Sequence, residues 1–295
     1  MKIRFIINPI AGKGKAGSFV PIIQETMKKH QISYEIRKTK GPLEATRLAQ
    51  EAVEQGYTKV VAVGGDGTIS EVINALVHTN VSVGMMAGGT GNDICRTLQI
   101  PFDPEEALQV ILWEEAHLID VGKINEYYFI NIASLGLDAE IAYWVKNAKR
   151  WFRGSAAYIV SVIKNLITYR FQNIEVNFNE KQMTTKMLLL AIANGKYYGG
   201  GMMIAPDAQV DDKVFDICLI EKISKWKVGI LFPTILKGKH TKFKEVSTHK
   251  AEQLCIEKTS TNLVNIDGEI YEIKSPICFS IVPHSLRVIY KKGSK

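Results

Sequence analysis

The sequence predicts a parallel α/β half followed, from about residue 120, by an antiparallel β half with helical insertions. Three observations carry this. Up to about residue 115, short β-rich runs alternate with amphipathic segments, the pattern of a parallel sheet with crossover helices. From about residue 119 the texture changes to strand-like runs joined by turns, as in DVGKINEYYFINIASLGLD and NIEVNFNEKQMTTKMLLLAIANG. Glycine-rich loops follow the first, third and fourth apolar runs, at strand ends where open α/β sheets place their ligands.

Each element follows in order. Residues 2–7 open the sheet, and Phe19, Val20, Ile22, Ile23 and Met27 lie behind them on helical spacing. Between the two, Gly12-Lys13-Gly14-Lys15-Ala16-Gly17 satisfies G-x-G-x-x-G, a dinucleotide fingerprint in a strand, loop, helix context. That fingerprint also wants an acid at the end of the second strand to hold a ribose hydroxyl. The second strand, 33–38, leads instead into Lys38, Thr39 and Lys40, so an oxidoreductase reading lacks its acidic partner. Leu43, Ala45, Leu48, Ala49, Ala52 and Val53 make one helical stripe, and Ile69, Val72, Ile73 and Leu76 make another. The third strand, 59–63, runs into GGDGT and a helix starting near Ile69. The fourth, 81–86, runs into AGGTGND and a short helix over 94–98. In the second half the helical insertions span 139–169 and 224–237.

Lys and Arg number 37 against 30 Asp and Glu, a net +7 that favours nucleotide phosphates, nucleic acid or an acidic membrane surface as partners. No nucleic-acid module accompanies the charge, so that partner is not expected. Cys95, Cys218, Cys255 and Cys278 form no C-x-x-C pair and have no His at metal-ligand spacing, so neither a zinc site nor a disulfide framework is expected. A reduced, cytoplasmic setting fits. Lys2 and Arg4 lead only into a five-residue apolar run and no 18-residue apolar stretch occurs, so the expectation is a soluble protein, at most peripheral to a membrane.

The glycine loops carry the chemistry. Two glycines at a strand end let the backbone approach a ligand closely, the N–H groups and helix N-terminus favour phosphate, and Asp66 offers a carboxylate to a metal or ribose. NPIAGKGKAG, GGDGT and GGTGND, in that order, resemble the catalytic domain of the diacylglycerol kinase family, in particular small soluble bacterial lipid kinases related to sphingosine kinases. IDVG at 119–122, NGKYYGGGM at 194–202, APDAQVDD at 205–212 and NIDGE at 265–269 extend the likeness over nearly the whole chain.

The resemblance implies an α/β nucleotide-binding domain over 1–120, of the parallel-sheet kind found in NAD kinase and phosphofructokinase, then a β-sandwich over 121–284. The terminal strand, 285–295, would return to the first domain. It implies ATP in the cleft between them. Carried over by motif, Asn8, Pro9, Ile10, Ala11, Gly12, Thr39, Gly64, Gly65, Asp66, Gly67, Thr68, Ile69, Ser70 and Thr90 would line the ATP site.

Phosphoryl transfer to an alcohol needs metal and donors around the phosphates and a base for the hydroxyl proton. Asp66, Asp93 and Asp120 end strands or sit in glycine loops, so they are expected to converge on a catalytic Mg²⁺, directly or through waters; Asp93 equally suits a helix N-cap. Lys13 and Lys15 suit phosphates or plain solvent. For the base, the family's IDGE position selects Asp267, with Glu269 sharing or taking over the role, although a D-G pair between β runs is by itself a hairpin turn. Asp207, Asp211 and Asp212 form a second acidic cluster. The resemblance implies a structural Mg²⁺ there, held by Asp212 and the carbonyls of Gln209 and Val214. The family's D-D-G stands here as Asp211-Asp212-Lys213, and an exposed acidic turn is the alternative.

The insertions mix Tyr143, Trp144, Trp151 and Phe152 with Lys146, Lys149, Arg150 and Arg153, and flank an apolar segment with basic ends around Pro233, as an interfacial helix on anionic lipid requires. The expected activity is an ATP- and Mg²⁺-dependent lipid kinase acting on a hydroxyl of diacylglycerol or a related lipid. An NAD kinase-like phosphotransferase and a non-catalytic ATP-binding regulator are the alternatives. An exposed sheet edge would support a homodimer.

Overall fold

A computed structural model describes residues 2–148, 169–179 and 181–293, with the backbone alone described at 145–148. In the first half β1 (Ile3–Ile7), β2 (Tyr34–Lys38), β3 (Lys59–Gly64) and β4 (Ser82–Ala87) are parallel, in the order β2-β1-β3-β4. Helices α1 (Lys15–Ser18), α2 (Val20–Lys29), α3 (Glu44–Glu54), α4 (Asp66–Leu76), α5 (Asp93–Thr97) and α6 (Pro104–Trp113) connect them and continue the chain. β1 is buried at all five positions because alternate side chains meet opposite helical layers: Ile3, Phe5 and Ile7 pack with Ile23, Met27 and Leu108, and Ile6 packs with Leu48, Ala49 and Ile69.

The second half runs β5 (Ala116–Ile124), β6 (Tyr127–Phe129), β7 (Ile132–Gly136), α7 (Leu137–Ala148), β8 (Gln172–Phe178), β9 (Lys181–Ala193), β10 (Tyr197–Tyr198) and β11 (Met202–Met203). It continues with β12 (Phe215–Glu221), α8 (Lys225–Ile235), β13 (Val246–Ala251), β14 (Gln253–Thr259), β15 (Leu263–Ile266), β16 (Glu269–Glu272) and β17 (Ile277–Ile289). Its pairings within this half are antiparallel, and the predicted fold class is borne out. The long β9 pairs with β8 through its first residues, while its last ones lie between β7 and β12. β17 pairs with β14 and β5, and at Arg287 and Val288 it lies parallel to β4. The sandwich core stacks Phe129 on Phe215 at 5.6 Å, and Gly122 makes room: a Cβ there would lie 2.2 Å from the Phe129 ring.

Several local expectations are corrected. α4 begins at Asp66 rather than near Ile69, so GGDGT itself supplies its first turn. Leu43 lies outside the α3 stripe, 72 % exposed, in a left-handed conformation just before the helix. The cysteine expectation fails for one pair: Cys255 and Cys278 are direct partners in the β14–β17 register and form a disulfide. Cys95 and Cys218 are free and buried. Cysteine usage therefore no longer argues for a reducing compartment. The first insertion is helical over Leu137–Ala148; Trp151, Phe152, Lys149, Arg150 and Arg153, and the side chain of Lys146, lie outside the described residues. Among the described residues no helix is long and apolar enough to cross a membrane.

Candidate functional site

Three loops meet at the carboxyl ends of β1, β3 and β4 and enclose a cleft of about 310 Å³ lined by Asn8, Ala11, Gly12, Gly65, Asp66, Gly67, Thr68 and Thr90, with Asp267 and Glu269 opposite. They pack backbone against backbone. Gly12 has φ +58°, and a Cβ there would fall 2.2 Å from the Gly88 carbonyl oxygen; one on Gly89 would fall 2.3 Å from Gly65 Cα. The amino-terminal turn of α4 opens into this cleft, with the Asn8 amide donating to Thr68 Oγ1 at 3.2 Å. Uncancelled peptide N–H groups at such a helix end attract phosphate.

Six residues assigned to ATP stand outside this lining. Ile10 is 80 % exposed, and Pro9 sits beside it. Gly64 is buried against the Thr68 side chain, and Ser70 lies further along α4, its carbonyl accepting from the Asn74 amide. Thr39 directly follows the edge strand β2, its N–H donating to the Ile7 carbonyl at 2.9 Å. Ile69 faces a deeper cavity, while Gly89 and Gly91 join the cleft wall unassigned, although GGTGND already contained them. Lys13 and Lys15 are exposed.

Behind the cleft a cavity of about 240 Å³ brings together Asp66, Asp93 and Asp267. Asp66 accepts the Asn92 and Asp93 N–H groups at 2.7 and 2.6 Å, tying GGDGT to GGTGND. Asp93 is the first residue of α5 rather than its cap, which is Asn92 in left-handed conformation. Its Oδ2 accepts the Gly200 N–H at 2.8 Å, and its buried Oδ1 has no hydrogen-bond partner among the described residues. Burial raises the Asp93 pKa; the Gly200 N–H opposes that, and the Asp66 charge adds to it.

Asp120 does not join them. It is fully buried, its Oδ2 accepting the Lys213 N–H at 2.7 Å and its Oδ1 the His284 N–H at 2.8 Å. The second bond serves the irregularity in β17 between Val282 and Leu286, where the ladder with β5 is interrupted and an N–H needs another acceptor. Expected to reach a metal directly or through waters, Asp120 is held by two backbone N–H groups and is not among the residues lining that cavity.

Asp267 is a turn residue that also lines the cleft and the cavity behind it. Asp267 and Gly268 have φ +47° and +93°, as a two-residue loop between β15 and β16 requires. The same turn aims the carboxylate at the β6–β7 corner, where Oδ2 accepts the Ile130 N–H at 2.8 Å and Oδ1 accepts those of Asn131 and Ile132 at 3.0 Å. Burial outweighs these three donors and pushes its pKa up to about 6. A carboxylate offers about four acceptor positions, one more than these three donors use.

A third cavity, about 480 Å³, is walled by apolar side chains including Leu137, Ile141, Leu189, Met202, Leu231 and Ile235. Glu269 lines both this cavity and the glycine cleft. Asp138 enters the same wall, hydrogen-bonded to Ser134 Oγ, with burial raising its pKa. The sequence reading passed over it; an acid following the apolar run IASLGL was the available signal.

Residues 2–124 match the family described as diacylglycerol kinase catalytic domain, and residues 131–290 match the YegS C-terminal NAD kinase beta sandwich-like domain. A diacylglycerol kinase of Staphylococcus aureus is 29 % identical over 280 residues, covering 94 % of this chain and 89 % of that protein. One from Staphylococcus saprophyticus is 28 % identical over 270 residues, covering 91 % and 88 %. The crystal structure of a diacylglycerol kinase from Bacillus anthracis has the same fold, with a TM-score of 0.77 over 98 % of this chain and 97 % of that one at 24 % identity. With these matches in both halves and relatives named diacylglycerol kinase along nearly its whole length, the chain belongs to the diacylglycerol kinase family.

Proposed function

We propose that this chain transfers the γ-phosphoryl group of ATP to a hydroxyl of diacylglycerol or a related lipid. One observation carries the reading: Glu269 stands on the wall shared by the glycine cleft and the apolar cavity, beside Asp267. A lipid hydroxyl at the head of a chain in that cavity meets phosphates held in the cleft. The peptide N–H groups of the three loops and of the α4 terminus hold and orient the phosphates. Asp267 takes the hydroxyl proton as the bond to phosphorus forms, its pKa of about 6 leaving it ionised yet basic at neutral pH. Glu269, between the two spaces, orients the hydroxyl. A Mg²⁺ accompanying ATP would neutralise charge on the phosphates. The unpartnered Asp93 Oδ1, with Asp66 beside it, suits such a hard cation.

Access from a membrane is supported by α8. Val228, Leu231 and Ile235 face inward, yet Trp226, Ile230, Phe232 and Leu236 on the other side are exposed, among Lys225, Lys227, Lys237 and Lys239. Apolar residues ringed by lysines suit an anionic lipid surface. Phe232 also lines the apolar cavity, so the same face leads to the site.

Labelled ATP, Mg²⁺ and separate lipid, NAD and sugar acceptors, resolved by product chromatography, test the reading. Label in phosphatidic acid or a similar phospholipid is expected. Label in NADP instead, or in no product, defeats it.

A further inference from the structure

The acidic loop between β11 and β12 is where family resemblance implies a structural Mg²⁺ bound by Asp212 and the carbonyls of Gln209 and Val214. The residues around that loop do not fit one. Lys250 is the direct cross-strand partner of Asp216 in the β12–β13 register, and its ammonium lies 3.0 Å from Asp216 Oδ2 and 3.1 Å from Asp212 Oδ2. Asp211 is paired with Lys292 at 2.7 Å. The other Asp212 oxygen faces the Val214 N–H at 3.4 Å. Lys213, in the place of a glycine, adopts φ +65° and turns its N–H to Asp120. Among the described residues no group of three or more His, Cys, Asp or Glu is arranged for a metal.

We propose that the Lys250 ammonium takes the place of the divalent cation, so that the loop is closed by the chain's own charge and its folding needs no metal here. An ammonium donates three hydrogen bonds and carries one charge, enough to bridge two carboxylates but not to tolerate a dication between them. A metal entering would have to expel Lys250 from both Asp212 and Asp216 and then sit beside it as a like charge. Strand register fixes the Lys250 backbone directly opposite Asp216, so only its side chain has to be ordered to reach both carboxylates.

Thermal unfolding of the full chain without nucleotide, in EDTA and in millimolar MgCl₂, tests this. The midpoint is expected to be the same in both, and Lys250→Met is expected to lower it. A Mg²⁺-dependent rise that persists in Asp212→Asn belongs to the nucleotide cleft and agrees with the proposal. A rise in the wild type that Asp212→Asn abolishes overturns it, as does a Lys250→Met midpoint equal to the wild type. Should Lys250→Met fail to fold, the EDTA comparison and Asp212→Asn still decide. Kinase activity is not read, so the outcome is independent of the proposed reaction.

Discussion

At the residue scale, Asp267 shows how one position satisfies two demands. Its Asp-Gly pair makes the hairpin loop, and its burial against three peptide N–H groups yields a carboxylate with a pKa of about 6. A base must be ionised, so kcat/KM should fall as pH drops through about 6 and be level above it; a profile flat down to pH 5 would remove Asp267 from the proton transfer. Asp267→Asn should retain the fold and ATP binding, by circular dichroism and calorimetry, while kcat drops by roughly 10²- to 10⁴-fold. GGDGT and GGTGND were legible without structure because their chemistry is local: glycines, strand ends and helix starts lie within a few residues. The backbone partners of Asp120 were not legible, because Lys213 and His284 are 93 and 164 residues away.

At the element scale, α8 departs from the amphipathic rule. A helix with apolar side chains toward both the core and the outside has more apolar surface than one core can cover. If that surplus meets lipid, Trp226→Ser with Ile230→Ser should weaken flotation with anionic vesicles, raise KM for vesicle-borne lipid and leave the unfolding midpoint near the wild type. Binding unchanged at low salt would argue against this helix as the contact. The strands β1, β3 and β4 were legible to within a residue or two because continuous apolar runs buried on both faces have no other stable place; β2, at the edge and only partly buried, was legible from its position between two helical stripes. The Cys255–Cys278 pair was not, since cross-strand register depends on how β14 and β17 are brought together.

At the scale of the whole molecule, β17 and Asp120 hold the halves in one arrangement. β17 begins in the sandwich, passes an irregularity and ends parallel to β4, while Asp120 ties that irregularity to the acidic loop. The Asn194 amide continues the connection, donating to the Asp120 and Ile130 carbonyls, and the Ile130 N–H reaches Asp267. Asp120→Ala leaves two buried N–H groups without acceptors and should cost about 2–4 kcal/mol of stability, lowering the denaturation midpoint. A large loss of kcat with an unchanged midpoint would instead return Asp120 to the chemistry.

By itself the sequence determined the order of the four strands in the first half and of the helices between them, the change to antiparallel β structure, and the placing of glycine loops at strand ends. These depend on periodicity and backbone freedom, which act over a few residues. Only the tertiary structure decided that Asp66, Asp93 and Asp267 share a cavity, that Asp120 is held by two backbone N–H groups, that Glu269 borders both cleft and apolar cavity, and that Lys250 lies between Asp212 and Asp216. Each is a meeting of residues distant in the chain, set by strand register and burial, and burial sets what a carboxylate can do once it is there.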